Sequence, residues 1–313
     1  MGRSQSKPAA TRKITDRYHP VACCALMSVM KLFLLYLSVL DTPWRVINWR
    51  DKERELKYVN NYKPQTKDQQ LRILLHGPVG AGKSSFINSV KSVLQNKMCR
   101  QALVDNTAHE CCTKKYKTYR IQKGGLNTFY PFVFNDMMGL KNSTYRQRKI
   151  HVKDVKRAIK GHVKDDYTFN PECKLSKSDQ YYNKSPTADD KVHILVCVID
   201  ANTVSLMSKE CRDALRDIRC EASELGVPQV AILTKIDEVC PEIKQDVKNV
   251  YRSIVLQQRM EAFSAEVGIP LNCIFPVKNY HEEIHLNDDA DSLILSTLRS
   301  IVDSGEDFLN SAA

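Results

Sequence analysis

The chain has 313 residues, 42% of them hydrophobic, and carries 47 Lys and Arg against 36 Asp and Glu, a formal net charge of +11. That apolar content excludes a disordered chain and suffices for one full core, alone or with an extension. The charge suits anionic partners such as nucleotide phosphates, an acidic membrane surface or nucleic acid. No zinc-finger spacing and no aromatic-basic platform stands out, so no specific nucleic acid is expected as a partner. Eleven cysteines include the adjacent pairs Cys23-Cys24 and Cys111-Cys112 but no C-x-x-C. They read as reduced thiols, not as a disulfide frame or a metal cluster.

Residues 1–19 are polar and basic, the composition of a disordered tail. Met1-Gly2-Arg3-Ser4-Gln5-Ser6 fits the pattern for myristoylation of Gly2, with an unmodified tail as the other reading. Residues 21–40 are almost all apolar and about as long as a membrane span requires. Lys31 sits at the middle, where a lysine costs on the order of 3 kcal/mol. Residues 1–40 are therefore read as a basic tail plus an apolar segment, a candidate membrane anchor, with a helix packed on the domain or an atypical leader as alternatives. Residues 41–70 are charged and turn-rich (Thr42-Pro43-Trp44, Lys63-Pro64) and read as a linker into a domain over 71–310.

That domain opens with Leu71-Arg72-Ile73-Leu74-Leu75-His76, a short apolar run with strand character. It runs into Gly77-Pro78-Val79-Gly80-Ala81-Gly82-Lys83-Ser84, a match to G-x-x-x-x-G-K-[ST], and then into a helix over 85–95. Backbone N–H groups can wrap a phosphate chain only where glycines let the loop turn sharply and come close. The expected phosphate contacts are Gly77, Val79, Gly80, Ala81, Gly82, Lys83, Ser84 and Ser85. The Lys83 ammonium is expected on the phosphate oxygens and the Ser84 hydroxyl on Mg²⁺.

Residues 115–122 alternate polar with apolar and predict a half-exposed strand. Gly124-Gly125 predicts a turn, and 129–135 the next strand, with Pro131 out of place at its centre. This strand ends in Asp136-Met137-Met138-Gly139, a D-x-x-G in which Asp136 would hold Mg²⁺ through water and Gly139 would offer an N–H to a terminal phosphate. A Thr closing over that phosphate is expected at Thr107 or Thr113. Leu140 stands where many GTPases carry the Gln that positions the attacking water, and leucine cannot orient a water. Slow intrinsic hydrolysis follows, or dependence on another group such as His151, Arg146, Arg148 or a second copy of the chain.

A helix is expected over 151–161 and a long surface insertion over 161–190, which lacks any repeating apolar pattern. Residues 192–199 are continuously apolar, as in a strand covered on both faces. Helices over 208–225, 247–267 and 288–302 and strands over 229–233 and 271–276 complete the pattern. Thr234-Lys235-Ile236-Asp237 has the [NT]-K-x-D shape that reads guanine. The Asp237 carboxylate would accept from the ring N1–H and the exocyclic amine, a pair adenine does not offer, while Lys235 lies along the base. Val277 and Lys278 follow the last strand, where a loop N–H would meet the base oxygen. The order of elements predicts an α/β fold of the P-loop NTPase, GTPase-like kind, a three-layer sandwich with a mostly parallel sheet and helices on both faces.

The stretches 76–90, 130–136, 229–235 and 272–280 resemble the interferon-induced protein 44 and 44-like family of vertebrates, with the likeness covering residues 42–310. The form without a preceding TLDc domain looks like the fish members, and residues 1–40 depart from the family. The resemblance implies a GTPase-like fold, GTP or GDP as ligand, and an interferon-induced antiviral and immune role in the cytoplasm. A non-hydrolysing interaction scaffold with a structural nucleotide site is the other reading, and Asp237 disfavours an ATPase.

Overall fold

The strand before the glycine loop sends Leu71, Ile73 and Leu75 into one core and Leu74 into another. That period-two separation marks a strand covered on both faces. In the computed structural model the chain divides into two units, Met1–Ser38 and Val39–Ala313. The structure describes residues 39–65, 69–99, 114–125, 127–141 and 144–312, all in the second unit. Gly2, Lys31 and nearly all of the expected anchor lie outside the described residues, as do Thr107 and Thr113. Among the described residues no helix is long and apolar enough to cross a membrane.

In chain order the main elements are α1 (Lys52–Asn61), β1 (Leu71–His76), α2 (Lys83–Gln95), β2 (Lys117–Gln122), β3 (Phe129–Asp136), α3 (Tyr145–Ile159) and β4 (Ile194–Asp200). They continue with α4 (Lys209–Glu224), β5 (Gln229–Thr234), α5 (Ile236–Val239), α6 (Pro241–Gln245), α7 (Ile254–Val267), β6 (Ile274–Pro276) and α8 (Asp288–Ala312). The sheet order is β2-β3-β1-β4-β5-β6, with β2 antiparallel to β3 and every other pair parallel. Ile194, Val196 and Val198 of β4 face α2 and α8, meeting Phe86, Val90, Leu295 and Leu298. Leu195, Cys197 and Ile199 face α3, α4 and α7, meeting Val155, Leu215, Ile218 and Phe263. The expected three-layer α/β sandwich is the fold.

Several boundaries differ from the expectation: α3 starts at Tyr145 and not at 151, β6 is only Ile274–Pro276 after a 3₁₀ turn, and α8 runs on to Ala312. Three further points have a local reason. The expected linker contains α1, whose Val59 is buried in the core with Leu56 against it, and whose many charged residues mask the periodicity. The single helix expected over 247–267 is a 3₁₀ turn, Val247–Tyr251, followed by α7. Arg252 donates to the carbonyls of Leu40 and Asp41, and the Ser253 hydroxyl caps the new helix by accepting from Leu256 N at 3.2 Å. Pro131 is tolerated because pairing of β3 with β1 begins one residue later, at Phe132, and the β2 register is irregular between Arg120 and Gln122.

The insertion is tied down despite its polar sequence. Asp154 of α3, 1% exposed, accepts from Arg157 Nη1 at 3.0 Å, Tyr167 hydroxyl at 3.1 Å and Leu175 N at 2.9 Å. Tyr167, Phe169 and Leu175 then pack into the α3 and α4 core. Asp154→Ala removes the acceptor for three donors at once, an expected cost of about 3 kcal/mol. Urea unfolding measures it, with new protease cleavage inside 161–190 as the local signature.

Candidate functional site

The glycine loop adopts the backbone its sequence requires. Gly77, Gly80 and Gly82 have φ of +139°, +74° and +85°, and a Cβ on Gly77 would lie 2.1 Å from the Val198 carbonyl oxygen. Only glycine fits there, because β4 passes directly behind the turn. Gly82 leads into α2 without a side-chain cap hydrogen bond, and the first amides of a helix point along its axis beyond its N-terminus. Lys83 is buried, and its ammonium donates to Pro78 O at 2.8 Å and Gly77 O at 3.3 Å, folded back over its own loop.

The D-x-x-G segment forms a second wall. Leu140 N donates to Gly77 O at 2.9 Å, and Val79 N donates to Leu140 O at 3.0 Å. A Cβ on Gly139 would sit 2.7 Å from Val79 N and 2.9 Å from Lys83 Nζ, so this glycine permits the close approach. Ser84 Oγ donates to the fully buried Asp136 carboxylate, Oδ2, at 2.5 Å, while Met137 N holds Oδ1 at 2.9 Å. The two residues expected to serve Mg²⁺ are thus in direct contact. A hydroxyl and a carboxylate are the hard oxygen donors that ion prefers, with phosphates and water supplying the rest. Among the described residues no group of three or more His, Cys, Asp or Glu could hold a metal without such help.

The ends of β5 and β6 close the cradle. Thr234 Oγ1, fully buried, donates to Ala81 O at 2.7 Å, and Asn279 Nδ2 donates to Gly82 O at 3.2 Å. Thr234 therefore braces the phosphate loop. Lys235 takes a left-handed backbone, φ +54°, and its ammonium pairs with Asp200 at 2.9 Å. The Asp237 carboxylate is half-buried and has no hydrogen bond or ion pair among the described residues.

Two expected contacts need correction. The Val79 amide is committed to Leu140, and the Val277 amide donates to Leu233 O at 2.8 Å as a continuation of the sheet, with its side chain buried. Neither N–H is available to a ligand in this conformation. The Lys278 N–H has no acceptor among the described residues, while its ammonium pairs with Glu283 at 2.9 Å. Asp200 and Asn279 were not legible beforehand, because their roles depend on which strand ends are neighbours.

His151, one of the groups considered for water activation, is buried beside Phe169 with Nδ1 unpartnered, and His76 at the end of β1 is likewise buried with an unpartnered Nδ1. Burial, then the Lys83 ammonium and the other histidine, push His76 down to about 3. Burial and Lys83 push His151 down to about 4. Both rings are neutral near pH 7. Arg146 is exposed on α3.

No family model matches the chain. Interferon-induced protein 44 of Pan troglodytes is 35% identical over 241 residues, which is 77% of this chain and 53% of that protein. Interferon-induced protein 44-like of Homo sapiens is 33% identical over 273 residues, 86% of this chain and 60% of that protein. The chain is a homologue of the interferon-induced 44 and 44-like proteins. It spans little more than half the length of these relatives. Among solved structures, a dimerisation-deficient mutant of Toc33 from Arabidopsis thaliana overlaps 85% of this chain and 93% of its own with a TM-score of 0.48 at 12% identity. Toc33 in complex with Mg²⁺ and GMPPNP gives 0.40 at 12% identity, over 83% of this chain and 94% of that one. Overlaps of that size add nothing to the chemistry of the site in this interferon-induced protein 44 homologue.

Two outcomes follow from the loop and its histidines. Gly77→Ala forces a Cβ into the Val198 carbonyl and costs about 3 kcal/mol, whereas Gly80→Ala, with open space around it, costs about 1 kcal/mol for its positive φ. Thermal unfolding separates the two. Because both histidines titrate lower when folded than their ordinary 6.5, the unfolded chain takes up protons that the folded chain refuses below that pH. Stability therefore falls as pH drops from about 6.5 to about 4, by up to roughly 1.4 kcal/mol per pH unit for each ring. His151→Gln flattens the slope between pH 6 and pH 5 by about one proton, read from urea midpoints.

Proposed function

We propose that this chain binds a guanine nucleotide, GTP or GDP, with Mg²⁺, and hydrolyses GTP slowly in an interferon-induced antiviral response in the cytoplasm. One observation carries the reading: three strand-end motifs, from β1, β3 and β5, are hydrogen-bonded into a single cradle around Lys83. The amides of Gly80, Gly82, Lys83 and Ser84 at the start of α2 would receive the phosphates, and the Lys83 ammonium would turn from the loop carbonyls to the phosphate oxygens. Ser84 and Asp136 would hold the Mg²⁺, which neutralises phosphate charge when bound. Asp237 would take the guanine N1–H and amine, and Lys278 N–H the base oxygen. The immune role rests on the homologues named above, whose expression their names describe.

Leu140, which follows the D-x-x-G, contributes only its backbone to the cradle and brings no side-chain group that orients water. The same fact favours the second reading, a scaffold that holds nucleotide without turnover. In the slow-GTPase reading the missing group comes from Arg146 or a second copy of the chain. If a second copy supplies it, phosphate release per chain rises with protein concentration; if Arg146 supplies it in cis, release per chain is constant; either way release disappears in Lys83→Ala.

The base assignment is tested by inverting its hydrogen bonds. Asp237→Asn replaces two acceptors with one acceptor and one donor, which mismatches guanine and suits the 2-carbonyl of xanthine. GTP affinity should fall by roughly 10–100-fold and xanthosine triphosphate affinity should rise, measured by competition against a fluorescent nucleotide. Unchanged preference for GTP in that variant refutes the role of Asp237.

A further inference from the structure

The loop after β6 is held from beneath by a chain of contacts that ends outside the nucleotide-binding core. Tyr280, two residues beyond Lys278, is 8% exposed, and its amide donates to Ser89 Oγ of α2 at 3.0 Å. Its hydroxyl donates to Asp291 Oδ1 of α8 at 2.6 Å and accepts from Asn287 N at 2.7 Å, closing the loop on itself. Asp291 is fully buried, and its other oxygen lies 2.6 Å from the Lys52 ammonium at the start of α1. Lys52 also reaches Asp288 at 2.6 Å. A carboxylate with no exposure is tolerated only when paired, so Lys52 is the partner that lets Asp291 sit buried beneath Tyr280.

The rest of α1 is fastened along α8 and to the β2–β3 hairpin. Glu55 pairs with Arg299 at 2.9 Å, the Tyr62 hydroxyl donates to Glu306 at 2.6 Å, and the Tyr130 hydroxyl donates to Asn60 Oδ1 at 2.5 Å. Ahead of it, Arg45 donates to the carbonyls of Ile274 at 2.7 Å and Leu271 at 2.6 Å, flanking the edge strand β6. The segment that precedes the glycine loop therefore braces the start of β6 through Arg45 and, through Lys52 and Asp291, the loop that follows the strand.

We propose that Lys52, Asp291 and Tyr280 are positioning residues for nucleotide selection: through them α1 holds the 277–281 backbone where it can read the base. The inference rests on the guanine-nucleotide reading and extends it to an element that lies outside the P-loop core. A loop N–H meets an acceptor on guanine but a donor, the amino group, at the same place on adenine. Holding that N–H in place therefore favours guanine and disfavours adenine together. Releasing the loop erodes the discrimination while leaving the phosphate contacts of α2 intact.

The test measures affinities of the full chain for GTP, ATP and inorganic triphosphate with Mg²⁺. The variants are Lys52→Met, Tyr280→Phe and the conservative Lys52→Arg, with Glu55→Gln as a control that loosens α1 from α8 away from the loop. Lys52→Met and Tyr280→Phe should lower the GTP-to-ATP affinity ratio by about tenfold, with triphosphate affinity unchanged. Lys52→Arg should retain most of the ratio, and Glu55→Gln all of it. Equal loss for GTP, ATP and triphosphate would mean general destabilisation and overturn the proposal, as would an unchanged ratio in a wild-type chain that prefers GTP. A wild-type chain that does not prefer GTP to ATP would instead overturn the guanine reading itself. Should either variant fail to fold, Lys52→Met combined with Asp291→Asn, which removes the ion pair without stranding a buried charge, gives the same readout.

Discussion

A buried ammonium governs this molecule. Lys83 enters a position with little solvent, and the dipoles of the Gly77 and Pro78 carbonyls turn toward it. Moving a charge out of water is costly unless the surroundings replace its hydration. The loop meets that cost with its own backbone, and it can do so only because glycines let the chain double back within van der Waals distance of β4. The same field, added to burial, holds His76 and His151 neutral. Cation, loop and neutral rings are one electrostatic arrangement, and anionic phosphate is the species that would best relieve it.

Around that charge, elements distant in sequence are joined by few but short contacts. The loop after β3 is laid against the glycine loop as a parallel bridge between Pro78 and Leu140. Thr234 and Asn279 reach the carbonyls of Ala81 and Gly82 from the ends of β5 and β6. Parallel strands put all these loops at one edge of the sheet, which is why a fold of this topology gathers its chemistry there. The segment 39–65 adds a layer that such a sheet does not need for closure. Arg45 occupies carbonyls of the β6 edge, and α1 leads through the Lys52–Asp291 ion pair to the loop after β6.

The parts legible in the sequence were those whose geometry is local. Gly77 to Ser84 declares itself because a tight anion-cradling turn needs glycines at set intervals, and the apolar run ending at Ile199 declares a strand covered twice. Asp136 and Ser84, both expected to serve Mg²⁺, lie in contact because one ends a strand and the other starts a helix of the parallel sheet. What stayed hidden depends on tertiary neighbours. Helix α1 escaped notice because one narrow face carries Leu56 and Val59 amid eight other residues that are mostly charged or polar. The Val277 amide looked available until the sheet claimed it, and Asp200 gave no sign that it would hold Lys235. The insertion reads as loop because Asp154, not an apolar pattern, organises it.

The central claim is that one cradle, built from three strand ends around Lys83, selects a guanine nucleotide. Isothermal titration of the full chain with GTP and then ATP, in Mg²⁺, addresses it most directly. The account requires a single saturable GTP site with ATP at least about tenfold weaker. Equal affinity for the two, or no saturable binding of GTP, contradicts it.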